Sequence, residues 1–218
     1  MARTKTGFLV LADISGFTEF VTATALEHGP PIIADLLQTV IDRIAPPLMV
    51  QEIEGDAVFA LGPAGTVVPP GVLLDVFRGG FAGFRERQRA IDADESCSCG
   101  ACRSVARLRL KIIGHYGPFL EQTVGGRGQV AGSDVILAHR LLKNGVAGDT
   151  DYVLLTRPAL ETMNLDPSRV GLLPHSERYE HFGTVDCFVQ SIAAGDGAPT
   201  APPPADGVGF PARAIGAS

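Results

Sequence analysis

The first apolar run, Gly7-Phe-Leu-Val-Leu-Ala12, is continuous rather than alternating and ends at Asp13. A run of this kind reads as a strand buried on both faces, here delivering an acid at its C-terminal tip. Phe17, Phe20, Val21 and Thr24 then recur at helical spacing. Ile33, Leu36, Leu37, Val40, Ile41 and Ile44 form one face of a second helix over residues 32–44. Pro30-Pro31 separates the two helices and Pro46-Pro47 stops the second, because proline lacks the N–H that a helix interior uses. Residues 48–53 and 57–61 are apolar, β-branched segments meeting at Glu54-Gly55-Asp56, which suits a hairpin tip. Asp56 therefore falls at the end of a strand pair.

Farther along, residues 72–91 predict a helix with Leu73, Val76, Phe77, Phe81 and Phe84 inward, although Gly79-Gly80 weakens it by roughly 1 kcal/mol per glycine. After a cysteine-rich loop at 96–102, Leu108, Leu110 and Ile112 alternate with Arg109 and Lys111 as in a half-exposed strand over 108–113. A glycine-rich turn at 125–128, a helix at 130–142, a strand at 152–156, a short helix at 158–163 and a closing strand at 185–192 follow. The order is ferredoxin-like. It predicts an α+β domain, one antiparallel sheet with helices on one face, over residues 1–194. From residue 195 the chain is Gly, Ala and Pro with little to bury, so its ordering entropy is not offset and a disordered tail is expected over 195–218. In this topology the first strand's end and the hairpin tip share one sheet edge, so Asp13 and Asp56 can converge.

Composition narrows the chemistry. The chain has 218 residues, 45% of them hydrophobic, enough for one core. Eighteen basic against 24 acidic side chains give a formal charge of -6, which argues against a nucleic-acid partner. No apolar stretch approaches a membrane span, and the N-terminus runs into a strand without a signal-peptide pattern. A cytoplasmic location is expected, where clustered cysteines point to metal or redox chemistry more than to structural disulfides.

Two aspartates at adjacent strand ends can hold Mg²⁺ or Mn²⁺, hard cations that prefer carboxylate and phosphate oxygens. The Ser15-Gly16-Phe17-Thr18 stretch opens a helix, where backbone N–H groups can meet phosphate oxygens. Taken singly, Asp13 has the simpler role of capping that helix and Asp56 of making a turn.

The surrounding motifs add a resemblance. Leu11-Ala-Asp-Ile-Ser-Gly-Phe-Thr18 and Glu52-Ile-Glu-Gly-Asp-Ala57 resemble the two metal-binding motifs of class III adenylyl and guanylyl cyclases. Ile112-Ile-Gly-His-Tyr-Gly-Pro118 resembles their strand ending in a glycine-spaced turn, and Gly132-Ser-Asp-Val-Ile-Leu-Ala-His-Arg140 their helix of transition-state residues. The similarity spans residues 7–192. More narrowly, the chain resembles uncharacterised bacterial cyclase-like proteins in which a cysteine cluster precedes the His-Tyr-Gly strand.

This resemblance implies a purine nucleoside triphosphate on Mg²⁺ or Mn²⁺, with Asp13, Asp56 and the Ile14 carbonyl as metal ligands. Phe17 and Thr18 would meet the nucleotide, Glu52 and Gln129 occupy the base-selecting positions, and Arg140 is the catalytic arginine. It also implies a homodimer with sites shared between protomers. Glu52 leans toward guanine, since a carboxylate can accept from N1–H and the exocyclic amine; Gln129 does not confirm it. Two positions depart from the family pattern. The ribose-orienting asparagine is Ile136, and the phosphate-holding lysine is Phe182. Losing a preorganised donor commonly costs about 3 kcal/mol of barrier, so weak or absent cyclisation with nucleotide binding retained is expected. An active atypical cyclase, with the Ile136 role moved to a water or to Asn144, is the first alternative.

Cys97, Cys99 and Cys102 form Cys-x-Cys-x-x-Cys, close enough for three thiolates to share Zn²⁺. Asp94, Glu95, His115, His139, Cys187 or a second chain could supply a fourth donor. An iron–sulfur cluster, reversible oxidation and plain thiols stay open. A non-enzymatic thiolate-metal or redox sensor is accordingly the second alternative. His28, His175 and His181 read as surface or loop residues, and His115 as a packed histidine near the strand end.

Overall fold

The computed structural model describes residues 3–62, 69, 71–94, 99–146 and 149–192. The expected tail therefore lies outside the described residues, as does Cys97. Strand β1 (Arg3–Ser15) runs through the middle of the sheet, because its residues are wanted on both faces. Phe8, Val10, Ala12 and Ile14 enter one core cluster, while Leu9 and Leu11 enter a second on the opposite face. Strand alternation thus sends a continuous apolar run into two cores.

The first core is covered by α1 (Phe17–Thr22), α2 (Gly29–Ile44), α3 (Val72–Asp92), α4 (Gly100–Ser104) and α6 (Arg157–Thr162). The second is covered by α5 (Ser133–Leu141), through Val135, Leu137, Ala138 and Leu141. Helices therefore lie on both faces of the sheet rather than one. The remaining strands are β2 (Met49–Glu54), β3 (Ala57–Leu61), β4 (Arg109–Val124), β5 (Arg127–Ala131), β6 (Asp151–Thr156), β7 (Leu173–Tyr179) and β8 (Gly183–Ile192), with a short helix α7 (Pro167–Val170) before β7. Their order is β2-β3-β1-β4-β6-β8-β7, with β5 folded back on β4. All pairs are antiparallel except β4 with β6, which are joined by the β5–α5 crossover and run parallel.

Three elements differ from the sequence expectation for identifiable reasons. Pro30 and Pro31 do not precede α2 but occupy its first turn, where no N–H is needed. Strand β4 continues far past residue 113, and Gly125 and Gly126, both at positive φ, turn the chain so that residues 127–131 pair with it. The helix expected from 130 consequently begins at Ser133. Strand β7 is polar and outermost, so it carries none of the apolar run that marks a buried strand.

The glycines that weaken α3 in propensity let it approach α2. A Cβ on Gly80 would stand 3.1 Å from Ile44 Cγ2, and one on Gly83 only 2.8 Å from Arg43 Cγ. Two buried polar groups then lock α3 to the start of β4. Gln88 Nε2 donates to the Val105 and Leu108 carbonyls at 2.8 and 2.9 Å. Asp151 is fully buried, takes the Leu110 N–H at 2.8 Å and pairs with Arg85. Among the described residues no helix is long and apolar enough to cross a membrane.

Candidate functional site

Register brings the two aspartates together. Asp13 lies opposite Ala57 on β3 and opposite Lys111 on β4, and the Ile14 N–H donates to the Asp56 carbonyl at 3.1 Å. Asp56 follows Gly55, whose φ of 60° lets the β2–β3 tip turn this tightly. Burial, and then the like charge of Asp13, push the Asp56 carboxyl above the usual carboxylate range, although its own backbone and Lys111 oppose the rise. The pair is thus a mutually repelling carboxylate couple at one sheet edge.

Lys111, which the sequence reading treated as an exposed alternating residue, belongs to this site. Its Nζ lies 2.9 Å from Asp13 Oδ2, with side chains only 15% and 14% exposed, and it also donates to the Leu142 carbonyl at 2.9 Å. It reaches the site through the register of β1 and β4, which puts Lys111 opposite Asp13. Tyr152 extends the same cross-sheet row, being opposite Lys111 on β6. Its hydroxyl donates to Asn144 Oδ1 at 3.1 Å, and burial raises its pKa. Asn144 also accepts from the Val146 N–H at 3.0 Å and donates to the Leu141 carbonyl at 2.7 Å. Both ends of its amide are thus engaged by neighbouring groups of the fold.

A second row fixes the other end of α5. His115 lies four positions along β4 from Lys111 and is buried mid-strand, not at the strand end. Its Nδ1 meets Thr156 Oγ1 at 2.8 Å and its Nε2 meets Asp134 Oδ1 at 2.9 Å. Gly117 makes room for that carboxylate, since a Cβ there would lie 2.3 Å from Asp134 Oδ1. Four strand residues span roughly 13 Å and the eight helical steps from Asp134 to Leu142 about 12 Å. Helix α5 therefore matches the strand beneath it and is held at both ends, by His115 at its start and Lys111 at its finish.

The fold does not gather all the remaining expected site residues at this edge: Gln129 pairs with Gln122, eleven positions along β4 from Lys111, and Phe182 precedes the far end of β8. Phe17 packs partly into the first core and Thr18 is exposed on α1. Glu52 is exposed on the edge strand β2, and Gln129 is exposed on β5, with Gln122 Nε2 3.5 Å from its side-chain oxygen. Arg140 is exposed on α5 near Tyr179, and no side-chain hydrogen bond or ion pair joins it to Asp13 or Asp56. Ile136 is 53% exposed, and Phe182 packs partly into the second core at the β7–β8 turn. The donor set at the edge, two carboxylates and backbone carbonyls, fits a hard divalent cation in charge and ligand type. Among the described residues no three His, Cys, Asp or Glu side chains already form a metal-holding group.

On the first-core side, Cys99 precedes α4 and Cys102 lies within it, both packed against the core. The fold removes three of the possible fourth donors. His115, His139 and Cys187 lie on the opposite face, His139 against Phe59 and Cys187 in the second core, where burial pushes its thiol up to about 12.

Comparison with known proteins agrees with this architecture. The adenylyl cyclase CyaB from P. aeruginosa superposes with a TM-score of 0.63 at 15% identity, over 91% of this chain and 99% of that one. The guanylyl cyclase Cya2 gives 0.62 at 15%, over 87% and 92%. The guanylate cyclase domain of RhGC from Catenaria anguillulae, in complex with GTP, gives 0.58 at 14%, over 88% and 98%. At such identities the likeness is one of fold. In sequence, the chain is 30% identical over 176 residues to the uncharacterized protein Rv2561/Rv2562 of Mycobacterium tuberculosis (strain ATCC 25618 / H37Rv), covering 78% of each. Residues 33–152 match the model of a protein family of unknown function, DUF2652. The chain thus belongs to the DUF2652 family, built on the α+β fold of nucleotidyl cyclase catalytic domains.

Proposed function

We propose that this protein binds a purine nucleoside triphosphate with Mg²⁺ or Mn²⁺ at the Asp13–Asp56 edge, and that its cyclisation of that nucleotide is weak or absent. The observation that carries the reading is the convergence of the two carboxylates, with Asp56 held partly buried beside Asp13. Such a pair gains from a divalent cation because the ion removes both the repulsion and the desolvation cost. A metal there would be held by Asp13, the Ile14 carbonyl and Asp56, with Phe17 and Thr18 toward the phosphates and Glu52 toward the base, whereas Gln129, paired with Gln122 far along β4, would have to come from the second protomer. When bound, the ion supplies Lewis-acid stabilisation of phosphate charge.

Lys111 gives the site a resident cation. It neutralises Asp13 in the absence of metal, so a metal–nucleotide complex has to displace it or share it with a phosphate oxygen. Weak chemistry follows from Ile136, which offers no hydrogen bond where a ribose needs orienting, and from Phe182, which offers no charge to terminal phosphates. Among the described residues no salt bridge joins Arg140 to a carboxylate, which suits a role across a homodimer. Exposed Met49, Ile53, Val124 and Ile136 supply apolar surface for such an interface.

The test is calorimetric titration of Mn²⁺ with GTP and ATP, alongside detection of cyclic nucleotide. Binding lost in Asp13→Asn with little product is the expected result. Robust turnover would establish the active atypical cyclase instead, and no binding of either nucleotide would remove the proposal. Light scattering after size exclusion should show a dimer; a strictly monomeric species refutes the shared site.

A further inference from the structure

A second group of chemically active side chains lies on the first-core face, where α4 leads into the start of β4, and brings together residues far apart in sequence. His28 ends the linker between α1 and α2, and its Nδ1 is 3.7 Å from Cys99 Sγ, 71 positions later in the chain. Cys99 Sγ also takes the Cys102 N–H at 3.5 Å, so the two cysteines sit on one turn. His28 and Cys102 line the same surface hollow, with Glu27 and Asp94 beside them.

The separation is informative. Two donors bound to one tetrahedral zinc, nitrogen at about 2.0–2.1 Å and sulfur at about 2.3 Å, stand about 3.6 Å apart by the law of cosines. The Cys99–His28 distance matches that spacing. From this geometry we infer that His28, Cys99 and Cys102 hold one borderline divalent cation of the zinc class. Histidine here is a ligand type that sequence spacing could not reveal, since His28 has no neighbour at ligand spacing and meets the cysteines only when α4 packs on α1 and α3.

Capture of the ion requires the Cys102 thiol to close on the Cys99–His28 pair, as no three such side chains already form a metal-holding group among the described residues. Both thiols lose their protons to solvent and the imidazole binds as the neutral form, so one divalent ion replaces two protons. Glu27 and Asp94 add negative potential to the hollow without being required as ligands. Cys97 lies outside the described residues, and the proposal stands on the three described donors. Nitrogen and sulfur donors separate this site from the oxygen-lined carboxylate edge, which takes hard cations.

The experiment is a Co²⁺ titration of reduced, metal-stripped protein in excess Mg²⁺, which occupies oxygen sites. One equivalent of Co²⁺ should develop a thiolate-to-metal charge-transfer band and tetrahedral d–d absorption, with release of two protons. His28→Ala, at an exposed position, should lower the affinity at least about tenfold and shift the d–d bands. His28→Cys should restore tight binding with a stronger charge-transfer band, while Asp13→Asn should leave the titration unchanged. The inference is overturned if wild-type protein shows no charge transfer, the behaviour of a simple Cys99–His28 hydrogen bond. It is equally overturned if His28→Ala titrates with the wild-type affinity and spectrum.

Discussion

Replacing Lys111 with methionine removes the one cation that, among the described residues, pairs with Asp13, while keeping the length of the side chain. At 2.9 Å and an effective dielectric constant near 20, the Lys111–Asp13 attraction is about 6 kcal/mol before desolvation is subtracted. Breaking a buried pair by deleting one partner typically costs about 3–5 kcal/mol, because the other charge is left uncompensated. Residual exposure of both side chains and the polar edge place Lys111→Met at the low end, about 3 kcal/mol. For a domain of this size that lowers Tm by about 6–12 °C in a chelating buffer. The two aspartates, now without a counter-charge, should then recruit metal. Mn²⁺ at about 100 times its Kd returns about 2.7 kcal/mol, nearly the whole loss. Thermal unfolding of both proteins with EDTA and across a Mn²⁺ series gives the comparison. If Lys111→Met melts like wild type in chelator, or gains no more from Mn²⁺ than wild type does, Lys111 is not the internal counter-ion of this site.

Other perturbations address neighbouring parts of the same argument. Because the folded-state pKa of Asp56 is raised, its charged form destabilises the metal-free fold, and stability is lost as pH rises through that pKa. Asp56→Asn should therefore melt higher than wild type at neutral pH in chelator, with the difference fading toward the unfolded carboxyl value near 3.8; an equal difference at all pH values would contradict this. Gln88→Leu removes two buried hydrogen bonds, although the Val105 carbonyl keeps the Leu108 N–H and the Leu108 carbonyl keeps Arg109 Nη1; it should cost about 1–3 kcal/mol by urea unfolding, whereas a change below about 0.5 kcal/mol would show the tie from α3 to β4 to be dispensable. Gly117→Ala drives a methyl into the Asp134 carboxylate and should destabilise by about 1–3 kcal/mol, with altered chemical shifts for the His115 ring; an unshifted ring would mean that α5 is anchored elsewhere.

Local pattern alone determined much of this protein. Gly7 to Ala12 had to be a doubly buried strand, residues 57–61 its hairpin-borne neighbour, and Asp13 and Asp56 the acids at their ends, because apolar periodicity and turn chemistry act over a few residues. The ferredoxin-like α+β order was legible for the same reason, while its cyclase type rested on the resemblance of the motifs. Only tertiary structure decided the partners reached through register and packing. Lys111 becomes a site residue because antiparallel pairing puts it across from Asp13, and a one-residue slip would send it to the other face. His28 meets Cys99 because helices close over the first core, an event that leaves no mark in the spacing of either residue. Polar β7 gave no periodic signal because it sits at the sheet's outer edge, and β5 was divided between a glycine-rich turn and the start of a helix because its pairing partner is the far half of β4. Sequence thus carried what burial of contiguous residues dictates, and the fold carried what depends on distant segments meeting, since long-range pairing is set by the whole core rather than by any single stretch.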